Sequence, residues 1–129
     1  PALYETEALK AQAVAAYTDA THGHTLSAVS GAYYRLLIER SEDAAKKFRR
    51  LATSVWDIVP AGKTDKEIAS EGLARMEDWM RELGLAMDIT ACGADPSQLE
   101  GMADACPINE TGYVVLTRED VIDVLRQSL

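Results

Sequence analysis

The chain has 129 residues, 47% of them apolar and 26% charged, a balance that fits one globular domain and excludes general disorder. Thirteen Lys and Arg against twenty-one Asp and Glu leave a net charge of −8, which argues against nonspecific binding to nucleic acid or to an anionic membrane. No apolar run approaches the roughly 20 residues needed to span a bilayer, and the first residues lack the basic stretch and apolar core of a signal peptide, so the expected location is the cytoplasm.

Helical periodicity runs through the chain. Residues 5–17, ETEALKAQAVAAY, are rich in Ala and other strong helix formers and predict a first helix. A break at 18–23 precedes a second helix from about Thr25 to Arg40, with Leu26, Val29, Tyr33, Leu36 and Leu37 as its apolar stripe. Ser41 is an N-cap for a third helix, with Glu42 and Asp43 well placed in its first turn. Its buried face is expected to be Ala45, Phe48, Leu51, Ala52, Val55 and Trp56. Thr64 and Glu67 form a capping box for a fourth helix that turns Ile68, Met76, Trp79, Met80 and Leu83 inward and stops at Gly84. Asp95-Pro96 opens a short fifth helix, and Thr117 to Asp120 cap a last one with Val121, Val124 and Leu125 inward. Residues 113–116, YVVL, have strand character but are too few to build a sheet. The fold class is therefore all-α, a bundle of five or six helices forming a single domain over 1–129. Trp56 and Trp79 read as core anchors, and Lys46, Lys47, Arg49 and Arg50 as a solvated face. Cys92 and Cys106 make no C-x-x-C pair and read as two reduced thiols.

Only the segment around His22 and His24 points to chemistry. Neutral imidazole binds Zn or Fe well, and Gly23 between the two lets another group approach closely. Two histidines do not complete a shell of three or four ligands, and residues two apart share no helix face. A joint site would need non-helical backbone at this point. A capping or surface role is the alternative.

At Thr21-His22-Gly23-His24-Thr25-Leu26-Ser27 the sequence resembles the His-Gly segment of the iron-containing alcohol dehydrogenases, nearest to the NADPH-dependent butanol dehydrogenase and aldehyde reductase type. Tyr17-Thr18-Asp19-Ala20 before it, Val55-Trp56-Asp57-Ile58, Glu82-Leu83-Gly84-Leu85 and Leu116-Thr117-Arg118-Glu119-Asp120-Val121 resemble further family motifs in the same order. The resemblance implies the helical C-terminal domain of an oxidoreductase that interconverts alcohols and aldehydes with NAD(P)H and an Fe or Zn ion. The family's last ligand histidine matches His22. Another ligand position falls at Ala8, and a further active-site histidine is matched by Gln12. His22 is thus the one metal-ligand position retained, in an incomplete site, and no catalytic or cofactor-binding residue is assigned. No Gly-rich phosphate turn follows a strand, so the nucleotide-binding domain is expected to be absent and no cofactor is expected in this chain alone. The expected reading is a fragment or truncated relative that does not catalyse by itself, partnered by a separate nucleotide-binding domain or a second copy of the chain. The alternatives are a non-catalytic helical binding or oligomerisation module, with residues 5–17 as its interface, and a small-molecule pocket lined by Tyr17, His22, Tyr33 and Tyr34.

Overall fold

The computed structural model describes residues 2–108 and 110–129, with side-chain surroundings from residue 8 onward. Six α-helices follow one another: α1 (Ala2–Tyr17), α2 (His22–Arg40), α3 (Glu42–Val55), α4 (Asp65–Glu82), α5 (Leu99–Ala105) and α6 (Arg118–Gln127). A 3₁₀ turn, Pro96–Gln98, leads into α5, so Pro96 opens a tighter coil than the expected α-helix. There is no strand among the described residues, and within 113–116 only Leu116 is buried.

The helix starts follow their caps. Ser41 Oγ accepts the Ala44 N–H at 3.2 Å at the head of α3. Thr64 with Glu67 and Thr117 with Asp120 form reciprocal capping boxes at α4 and α6. Helix α4 ends through Gly84, whose φ of 74° costs a glycine little, while Leu85 N–H turns back to the Met80 carbonyl at 3.1 Å. Helix α3 ends in the same left-handed region at Asp57, φ 52°, where a side chain makes that backbone less comfortable.

Two apolar clusters share the interior. The larger joins Ala11, Ala13 and Val14 of α1 to Val29, Tyr33 and Leu37 of α2, Leu99 and Met102 of α5, and Val121, Val124 and Leu125 of α6. The stripe of residues 5–17 is thus an ordinary buried helix face from Ala11 on; what the expected interface would add at residues 5–7 lies outside the described side chains. The smaller cluster joins Ile38 of α2, Ala45 and Phe48 of α3, and Ala69 and Leu73 of α4. Tyr34 packs against both, its ring 5.8 Å from Tyr33 and 4.9 Å from Phe48. Where α3 crosses α4, a methyl group added at Gly72 would lie 2.4 Å from the Ala52 Cβ. The close approach of the two backbones depends on that glycine.

The expected buried faces of α3 and α4 are corrected at their ends. Val55 and Leu83 are exposed, and Trp79 is 48% exposed. Trp56 is half-buried and stacks against Trp79, ring centroids 6.1 Å apart, with its indole Nε1 buried and unpaired. The Trp pair closes the outer end of the α3–α4 pair instead of anchoring a core. The expected Phe48, Ala52, Ile68 and Met80 are buried, and at the closest approach of the two helices the inward residues are small, Ala52 against Gly72.

Candidate functional site

Helix α2 begins at His22, three residues before the expected start, which settles the local geometry of the two histidines. On a helix, residues two apart point about 200° away from each other. His22 is exposed; His24 is half-buried and turned toward the segment that follows α4. There its Nδ1 accepts the Ala86 N–H at 3.0 Å. Ser27, one turn further along, donates its hydroxyl to the Ala86 carbonyl at 2.6 Å. Both polar groups of one backbone residue are thus held by side chains of the first two turns of α2. A joint His22–His24 site is excluded by this backbone. The N-cap of α2, Thr21, makes no side-chain capping bond.

The segment 84–95 is fixed along its whole length. Ile89 is fully buried and its N–H meets the Ser128 carbonyl at 2.7 Å. Asp88 accepts the Ala91 N–H at 2.7 Å. Between this segment and the α1–α2 connection lies an open cleft of about 730 Å³ bordered by Asp19, Thr21, His24, Asp88 and Cys92. Tyr17 borders a neighbouring cleft with Asp19 and Cys92, and its hydroxyl packs against Gly101. His22 borders neither cleft, and Tyr33 is buried in the larger core. The pocket expected from Tyr17, His22, Tyr33 and Tyr34 does not form.

Burial, reinforced by the negative charge of Asp88, pushes the Cys92 thiol up, which makes the free thiol a weaker nucleophile. Burial also raises the Cys106 thiol, partly opposed by the positive Lys10. Both cysteines are free. Lys10 is buried at 1% exposure with its ammonium 4.1 Å from the centre of the Tyr33 ring. Its spacing to Ala13 and Val14 was the available signal: a charged residue on the apolar stripe of an Ala-rich helix.

Ala8 and Gln12 stand one turn apart on α1, half-buried and exposed respectively. Neither an alkyl group nor a neutral carboxamide replaces an imidazole as a ligand. Among the described residues no group of three His, Cys, Asp or Glu side chains is arranged to hold a metal ion. The residues present therefore do not fit the metal that the sequence resemblance implies.

The helical order, the His22-Gly23 opening of α2 and the capped α6 fit the helical dehydrogenase-type domain that the sequence resemblance implies. Residues 8–129 match the family described as "Fe-containing alcohol dehydrogenase family, C-terminal", and the chain belongs to that family. It is 33% identical over 119 residues to probable NADH-dependent butanol dehydrogenase 1 of Bacillus subtilis (strain 168), an alignment covering 91% of this chain and 30% of the relative. It is 30% identical over 122 residues to probable NADH-dependent butanol dehydrogenase 2 of the same organism, with the same two coverages. The chain thus spans less than a third of the length of these relatives. Among solved structures, an archaeal halo-thermophilic alcohol dehydrogenase from a Red Sea brine pool, bound to NZQ, superimposes with a TM-score of 0.82 over 95% of this chain and 32% of its own, at 23% identity. A histidine-to-alanine mutant of that enzyme gives 0.81 over 96% of this chain and 32% of its own, at 24% identity. These two likenesses carry the fold.

Proposed function

We propose that this chain is the helical part of an oxidoreductase that interconverts alcohols and aldehydes with NAD(P)H, and that the chain by itself does not turn over substrate. The observation that carries the reading is the family match across residues 8–129, on a helical frame whose packing keeps the family's order of elements. Hydride transfer between substrate and nicotinamide needs both held in one orientation. Among the described residues no strand leads into a Gly-rich turn, and the cleft that His24 borders is open to solvent. The proposed place of action is the cytoplasm.

The test is reduction of butanal by the purified chain with NADH or NADPH, followed through the nicotinamide absorbance. No turnover above the protein-free rate is expected. Turnover that disappears in His22→Ala would overturn the reading.

A second reading, a non-catalytic binding or oligomerisation module, is favoured by one observation. Val55, Val59, Trp79 and Leu83, around the ends of α3 and α4, expose apolar side chains to solvent. Sedimentation velocity separates the two: a monomer at high concentration counts against assembly.

A further inference from the structure

We infer that this chain's own residues no longer hold a metal ion where its family holds one, and that its helices assemble without the ion. The inference rests on the family reading above. A divalent transition metal is retained by three or four donors converging on one point. At the position carried over from the family, the chain offers one exposed imidazole, His22, and on α1 the methyl group of Ala8 and the neutral carboxamide of Gln12.

The neighbouring donors do not converge with His22 on one point among the described residues. His24 lies on the opposite side of the first turn of α2, and its Nδ1 lone pair is taken by the Ala86 N–H. Recruiting it would release Ala86. Cys92, half-buried beside Asp88, has its thiol pushed up by burial and by that charge, so it gives its proton up to a metal less readily. Asp19, exposed between α1 and α2, adds a single carboxylate.

The fold needs no ion to close this region. Ser27 and His24 fasten the Ala86 backbone, Ile89 fills the core beneath it, and Val14 with Val29 seals α1 against α2. In proteins whose metal organises the fold, removing the ion removes folding free energy. Here the apolar contacts replace that contribution.

The experiment is metal analysis of the purified chain after incubation with excess Zn²⁺ and separately Co²⁺ followed by desalting, together with thermal unfolding with and without EDTA. The expected result is far less than one metal per chain, equal amounts in wild type and in His22→Ala, and the same unfolding midpoint with and without chelator. One retained ion per chain that is lost in His22→Ala would overturn the inference, as would a midpoint that falls on adding EDTA. The two readings fail separately. Nicotinamide-dependent turnover by metal-free chain would sink the functional reading and leave this one standing. Stoichiometric metal without turnover would do the reverse.

Discussion

The α3–α4 pair and the α1–α2 corner respond to opposite demands. In the pair, Gly72 against Ala52 lets two backbones touch, and replacing the small residue leaves nowhere for a methyl group to go. At the corner, Ala8, Gln12 and His22 present small or polar groups outward, and the neighbouring backbone is secured by His24 and Ser27 instead. Close backbone packing sets the first region, and polar side chains that reach the main chain set the second.

The sharpest way to break this contrast is Gly72→Ala. The added Cβ would lie 2.4 Å from the Ala52 Cβ and 2.9 Å from its Cα, so one helix must move. We expect a loss of about 2–3 kcal/mol in urea unfolding, overpacking outweighing the better helix propensity of alanine. A neutral outcome would mean the pair is as permissive as the corner.

Asp120 is next. Burial alone would raise its carboxyl, but the Thr117 N–H at 2.9 Å and the Arg40 guanidinium at 2.8 Å outweigh that and hold it below the usual carboxylate range. A depressed carboxyl stabilises the fold above its ordinary value and loses that contribution as pH falls through the native one. Asp120→Ala is expected to cost about 1 kcal/mol at neutral pH. The difference from wild type should shrink as pH drops below about 4, and a difference that grows on acidification would contradict the sign.

His24→Ala should also cost about 1 kcal/mol by freeing the Ala86 N–H, whereas exposed His22→Ala should stay within about 0.5 kcal/mol. Equal losses from the two would erase the distinction drawn at the corner. Asp57→Gly should act in the opposite direction. It relieves a left-handed residue after α3 and should stabilise by about 0.5–1 kcal/mol, seen as a higher unfolding midpoint.

What was legible in the sequence was local. Ser41, Thr64 and Thr117 announce helix starts because their hydroxyls bond backbone three residues away, and Gly84 announces a stop for the same local reason. The inward positions of α6 follow from periodicity alone. In α3 and α4 the expected Ala45, Phe48, Ala52, Ile68 and Met80 are buried, whereas Val55, Trp79 and Leu83 are exposed, because size and apolar character do not tell which end of a helix leaves the core. The crossing is set instead by how near two backbones come, which depends on a glycine and an alanine from different helices. The role of His24 was illegible for a similar reason: its partner, Ala86, is 62 residues away and contributes only main chain. His22 and His24 stand out as the two histidines of the sequence, and the directions of their side chains follow only from the first residue of α2.

The hold of α2 on Ala86 also divides the molecule in a way that chain order conceals. Among the described residues of α3 and α4 only Ala44 belongs to the larger cluster, and the polypeptide is back against the first two turns of α2 by Ala86. The intervening hairpin has its own apolar cluster, to which α2 contributes Ile38 and the bridging Tyr34. It is a side excursion held against α2 by that cluster, by the Arg35–Glu77 ion pair at 2.7 Å, by Lys66 Nζ on the Glu39 carbonyl at 2.8 Å and, at its base, by the two hydrogen bonds to Ala86. Amide hydrogen exchange should accordingly resolve two cooperative units, the less protected one spanning the middle of the sequence rather than either end.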